Sequence, residues 1–420
     1  MNDAARVDRD QLASEVAHWV AACDALRDLD VVAAPAAWSG LERYVDAGVR
    51  SRLRETIDTL TDDARRLAAA LTAAATPDDL AWTRERLLAL RQRYLRAETV
   101  LDFFGDAINS RTNPRLAALL RGLDALAVES MAVALRPLGV EVPPVLTYVD
   151  KGMGASIVRA GVRLWDAGSP SPVAAIKITR HNVLKTALVH ETGHQVAHLS
   201  RWTGELAELL RDELGPAPSE LADAFSGWAG EIGADVYAFA VLGSAPVFAL
   251  ANVVDGTTRQ VYAMPPFDPH PFAYLRVLLN VALVRTWFGP GPWDGLEAAW
   301  LRRHPVDAAP PHVAALTRAS IPLLGRLATA MTQARMRAFG GRSLAELVDP
   351  RRVAPAALAA LARRAGASLL TSTYLQRQET MRIFAWLTYQ AANPAATVEA
   401  RRQLEDWIIA LGSEPLARSA

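Results

Sequence analysis

The chain has little of several things. Cys23 is the single cysteine in 420 residues, which excludes an intramolecular disulfide and fits a reducing compartment. There is no excess of either charge, with 45 basic against 45 acidic side chains, so the electrostatic footprint expected of a nucleic-acid or anionic-membrane binder is missing. Long apolar runs are missing too: the best, Val277 to Phe288, is broken by Arg285 and falls short of the roughly 18 residues that suggest a membrane span. The first residues, Met-Asn-Asp-Ala-Ala-Arg-Val-Asp, are too polar to open a secretory signal. These absences leave a cytoplasmic protein as the expectation, with no sign of its oligomeric state. With 51% hydrophobic residues, the chain can bury a large core spread over two or three domains.

What is present is concentrated in one stretch, His190-Glu191-Thr192-Gly193-His194. Residues four apart on a helix stand on one face, so His190 and His194 can converge on one ion while Glu191 points at a water beside it as general base. The run from Asn182 to Trp202 contains no proline, has Asn182 as a helix cap, and is apolar at Val183, Ala187, Val189, Val196 and Leu199. A buried helix is predicted there.

A catalytic zinc needs a third protein ligand. Downstream, Glu231 and Asp235 are four apart in a proline-free segment from Ser219 to Leu242, so one carboxylate can bind the ion while the other accepts the free ring N–H of a ligand histidine. Gly227, Gly230 and Gly233 weaken this helix by roughly 1 kcal/mol each and predict a close approach to the first one. His198 is the rival ligand. On an unbroken helix it stands about 12 Å along the axis from His190, too far to share the ion, and it reads as a buried or partly buried helix residue.

HExxH followed by Glu-x-x-x-Asp resembles the gluzincin class of zinc metallopeptidases. The string His270-Pro271-Phe272-Ala273-Tyr274-Leu275-Arg276-Val277 is similar to the His-Pro-x-x-x-x-Arg-Ile string of CAAX-processing and heat-shock zinc proteases. The resemblance, over residues 143 to 290, implies His190, His194 and Glu231 as zinc ligands, Glu191 as base and Asp235 behind a ligand histidine. It also implies His270 and Arg276 near the transition state. Those relatives are embedded in membranes, whereas this chain has no apolar run to match.

The fold class expected is mainly α with a small β-sheet (α+β), a zincin-like core at 141–305 between helical regions at 1–140 and 306–420. Val145–Val149, Ser156–Trp165 and Val173–Thr179 read as strands of a small antiparallel sheet, the last two separated by the turn cluster Asp166–Pro172. The segment from Ile157 through Val158, Arg159 and Ala160 to Trp165 is the candidate edge strand for pairing with an extended substrate; an internal strand without that role is the alternative. Thr76-Pro77-Asp78-Asp79 opens a helix with a stripe of Leu80, Leu87, Leu88, Leu90, Tyr94, Leu95 and Leu101, and Asn113-Pro114 opens the next. Later helices are expected at 311–339, 355–370, 373–392 and 398–411. The flanks read as packing scaffold, and Gly152-Met153-Gly154-Ala155 lacks the Gly-Lys-[Ser/Thr] ending of a phosphate loop.

The expected activity is hydrolysis of a peptide or protein substrate by zinc-activated water. Oxyanion help would come from His270, Arg276, Tyr262 or Tyr274, of which His270 is the leading candidate and Arg276 has a structural ion pair as its alternative. A non-catalytic zincin-fold scaffold or binding protein is the competing reading, and a zinc hydrolase of non-peptide amides a third. The intact Glu191 favours an enzyme, because a module needing only the metal has no use for the base.

Overall fold

Apolar residues at three- and four-residue spacing build the first three long helices, α1 (Asp3–Ala25), α2 (Arg43–Ala73) and α3 (Pro77–Asn109), and their stripes pack together. Leu12, Val16 and Cys23 meet Leu60, Ala64, Leu67, Leu71, Leu87, Leu90 and Ala97. Thr76 opens α3 with a reciprocal cap: its hydroxyl accepts from Asp79 N (3.2 Å) and its own N–H donates to the Asp79 carboxylate (2.9 Å). The stripe is narrower than expected, since Leu88 and Leu95 are half exposed.

These coordinates belong to a computed structural model that describes residues 3–41, 43–152, 154–161, 171–215, 219–392 and 396–413. The protein is 76% helix and 4% strand, mainly α with a small sheet, as anticipated. It divides into two compact units, Met1–Arg121 with Val158–Ala175, and Gly122–Ile157 with Ile176–Ala420. The second unit contains both the stretch expected to carry the site and the helices after residue 305. Among the described residues no helix is long and apolar enough to cross a membrane.

After helix α4 (Pro114–Leu135) come β1 (Val145–Val149), β2 (Ser156–Val158) and β3 (Ala174–Ile178), with β3 in the middle of the sheet. The second strand is much shorter than predicted. Ile157 and Val158 lie on an edge strand, but Arg159 and Ala160 have left it for a turn at Gly161, whose φ is 79°. Residues 162–165, and residues 166–170 of the expected turn cluster Asp166–Pro172, lie outside the described residues.

The helix carrying His190 is α5 (Ala187–Ser200), and it starts five residues after the expected cap. Asn182 instead closes a tight turn by accepting from Lys185 N (3.0 Å), and Lys185, at φ 58°, is in the left-handed region that no helix continues through. Val183 is consequently half exposed, off the helix. A second left-handed residue, Arg201 at φ 61°, separates α5 from α6 (Trp202–Leu214). His198 is exposed on α5, not buried or partly buried as expected.

The segment from Ser219 to Leu242 is two helices, α7 (Ser219–Gly227) and α8 (Ala229–Leu242), broken at Trp228. Helix α8 is buried all round and packs along α5. The close approach is real, but its glycine is on the other helix. A Cβ on Gly193 would fall 3.0 Å from Ala234 Cα and 3.2 Å from Ala234 O, whereas Gly233 faces Leu206 and Trp202 of α6 and Gly227 faces open space. Gly193→Ala is therefore expected to force the two backbones apart, with a loss of about 1–3 kcal/mol. Urea denaturation checks this, and an unchanged midpoint would refute the packing account.

Candidate metal centre

Helices α5 and α8 are tied by more than van der Waals contact. Ser130 of α4 stands between them: its hydroxyl is 2.7 Å from Thr192 Oγ1 and its carbonyl accepts from the Tyr237 hydroxyl. Both central residues of HExxH are thus used in packing, Thr192 as a hydrogen-bond partner and Gly193 as a gap. The result fixes the rotation of one helix against the other.

That rotation brings one ligand atom from each of His190, His194 and Glu231 within 4.8 Å of one another, a group able to hold a metal ion. His190 Nε2 is 3.3 Å from Glu231 Oε2, and His194 Nε2 is 3.3 Å from Glu231 Oε1. Ligands about 2.0–2.1 Å from one ion at tetrahedral angles stand roughly 3.3 Å apart, so the donor set fits a zinc-sized cation. Two imidazoles and a carboxylate are also the right donor chemistry for such an ion, without excluding its neighbours in the transition series.

Asp235, one turn on from Glu231, takes the other side of His190: Nδ1 and Oδ1 are 2.8 Å apart, which directs Nε2 toward the other two ligand residues. Two further helices follow, α9 (Ala245–Val254) and α10 (Ala273–Phe288), and Arg276 of α10 grips Asp235 with Nε to Oδ2 at 2.7 Å and Nη2 to Oδ1 at 2.9 Å. Asn280, a turn further along α10, donates to Asp235 Oδ2 at 3.1 Å. Arg276 thus forms a buried ion pair with Asp235, and its Nη2 also approaches Glu231 Oε2 at 3.4 Å.

The charges follow from these contacts. Burial alone would lower the His190 imidazole, but its hydrogen bonds to Asp235 and Glu231 outweigh burial and raise it to about 10. Burial would raise Asp235 and Glu231; the Arg276 guanidinium holds the first, and the two imidazoles the second, far below the usual carboxylate range. Glu191 behaves in the opposite way. Burial pushes its carboxyl up, and the flanking imidazoles offset only part of that rise.

Glu191 and His190 open onto a cavity of about 430 Å³. One wall is apolar, formed by Pro246, Leu250, Val253 and Val254 of α9. His270 lies at the mouth, half exposed, with Nε2 3.2 Å from Glu231 Oε2 and Nδ1 2.7 Å from Asp268 Oδ1. Tyr262 and Tyr274 do not reach it. They stack on each other with ring centroids 4.7 Å apart, and the Tyr262 hydroxyl donates to His304 O at 2.8 Å. The edge-strand residues Ile157, Val158, Arg159 and Ala160 are not among the lining residues, whereas Gly154 and Ala155 are.

Sequence reasoning missed Asp268, Asn280, Ser130 and the α9 wall. Asn280 had a signal, being four residues from Arg276 on one helix face. No family model, no curated protein and no solved structure matches this chain.

Proposed function

We propose that the protein is a zinc-dependent metallopeptidase of gluzincin type. The observation that carries this reading is the convergence of His190, His194 and Glu231 beside a buried carboxylate, Glu191, that has no hydrogen bond to any described residue. A scaffold that merely held a metal would have no reason to keep a desolvated acid free at the cavity.

Zinc held by the three ligands would supply Lewis-acid activation, bringing a water's pKa toward about 7. Glu191 would act as the proton carrier, accepting a proton at its carboxylate from the attacking water and returning it to the leaving amine, a task suited to a carboxyl whose affinity for protons has been raised by burial. His270, half exposed beside Glu231, donates to the oxyanion as the scissile carbonyl is attacked. Asp235 keeps His190 in the tautomer that binds metal, and Arg276 with Asn280 holds Asp235 still. Arg276 thereby acts as a positioning residue.

Metal analysis of the purified protein, followed by digestion of a peptide library with and without added zinc, tests the proposal. One zinc per chain and metal-dependent cleavage are expected. Glu231→Ala should lower zinc affinity by at least 100-fold, roughly what losing one of three ligands entails. A variant that still binds one zinc as tightly as the native chain would refute the ligand set.

A further inference from the structure

The segment between Tyr262 and Ala273 contains Pro265, Pro266, Pro269 and Pro271, and fixed φ angles at four positions make it stiff. Asp268 N–H donates to Pro265 O at 3.2 Å, closing a four-residue turn with Pro266 and Phe267 at its corners. Phe267 has φ 64°, which with Pro266 before it defines a type II turn. That corner normally carries glycine, because a side chain there is strained. Here it carries a phenylalanine whose ring is fully exposed. Local stability would favour glycine and surface solubility a polar residue, so neither accounts for an aromatic side chain.

The position of the turn does. Its first and last residues, Pro265 and Asp268, line the cavity, and Asp268 also orients His270 through the ring nitrogen at 2.7 Å and the backbone N–H at 3.0 Å. Met264, also partly exposed, precedes the turn. Arg276 is the sole arginine or lysine lining the cavity among the described residues, and Asp235 and Glu231 already engage its Nε and Nη2. The opposite wall on α9 is apolar. The site thus presents no free cation to a substrate carboxylate and an apolar surface on the α9 side.

We propose that Phe267 is a substrate-positioning residue, packing its exposed ring against an apolar side chain of the substrate at the mouth of the cavity. This rests on the metallopeptidase reading. The proline-rich turn holds the backbone of residue 267 in place, so little backbone entropy is lost when the ring is covered. The strain at residue 267 is retained because the turn that carries the ring also sets Asp268 and His270.

The test uses zinc-loaded full-length protein and two metal-chelating probes, acetohydroxamic acid and 3-phenylpropionohydroxamic acid, titrated by calorimetry. The native chain should bind both, the phenyl probe more tightly. Phe267→Ala should weaken the phenyl probe by about tenfold, the worth of roughly 50–60 Å² of apolar contact, and leave acetohydroxamic acid unchanged; Phe267→Leu should recover most of the loss. Phe267→Gly should show the same loss while melting at a higher temperature, since glycine relieves the turn, which separates the binding role from folding. Equal binding of the phenyl probe by native and Phe267→Ala protein overturns the role of Phe267 and leaves the metal site standing. Failure of the native protein to bind either probe removes the metal-site reading and this proposal with it.

Discussion

Glu191→Gln is expected to lower metal-dependent peptide cleavage by about 10²–10⁴-fold, the usual contribution of a positioned general base, with zinc stoichiometry unchanged. The ligands lie on either side of residue 191 in sequence but are held by contacts of their own, Asp235 on His190 and Glu231 on both imidazoles. The same variant should make the metal-free protein more stable. Burial raises the Glu191 carboxyl above its unfolded value, so folding loses stability as pH rises from about 4.3 through the raised folded pKa. Once the pH has passed the raised folded value the native protein carries that penalty in full, and glutamine removes it. Cleavage assays, metal analysis and thermal melts of metal-free samples check the three parts together. Undiminished turnover would remove Glu191 from its role, and a lower melting point would mean that the carboxylate has a partner it was not credited with.

Arg276→Met is expected to destabilise the protein by about 3–5 kcal/mol, because it leaves Asp235 as a buried carboxylate without its main counter-charge. Asp235→Asn in the same chain should restore much of the loss, since a neutral amide no longer needs the guanidinium. The pH dependence has a definite sign. Asp235 has a folded pKa well below its unfolded value of about 3.9, so the pair contributes fully above that pH and loses its contribution as the pH falls below it. Urea melts between about pH 5 and pH 2 should therefore show a steeper acid loss in the native chain than in Arg276→Met. A single variant that melts within about 1 kcal/mol of the native protein would show that Asn280 and His190 suffice to hold Asp235.

The donor set was legible in the sequence because helical spacing is rigid: residues four apart share a face whatever the helix packs against. His190 with His194, and Glu231 with Asp235, needed only that rule. How the two helices turn toward each other was not legible. Three glycines in the segment from Ser219 to Leu242 pointed to the contact, yet the decisive one was Gly193, because a glycine's absent side chain does not say which neighbour benefits. Helix starts failed for a related reason. Asn182 has the composition of a cap, but the left-handed Lys185 reserved it for a turn, and positive φ at a lysine has no sequence signature. The tyrosines looked suitable for the oxyanion by residue type alone, but their rings stack on each other and the Tyr262 hydroxyl is engaged far along the chain, at His304.

All three candidate ligands sit on two helices whose alignment is set by Ser130, Thr192, Gly193 and Tyr237, none of them a ligand. In small zinc modules the ion is the keystone, and the polypeptide collapses when a chelator withdraws it. Here the scaffold rests on its own interior, so stripping with a chelator should silence the chemistry reversibly, and uptake of the cation should resemble a ligand entering a ready-made socket.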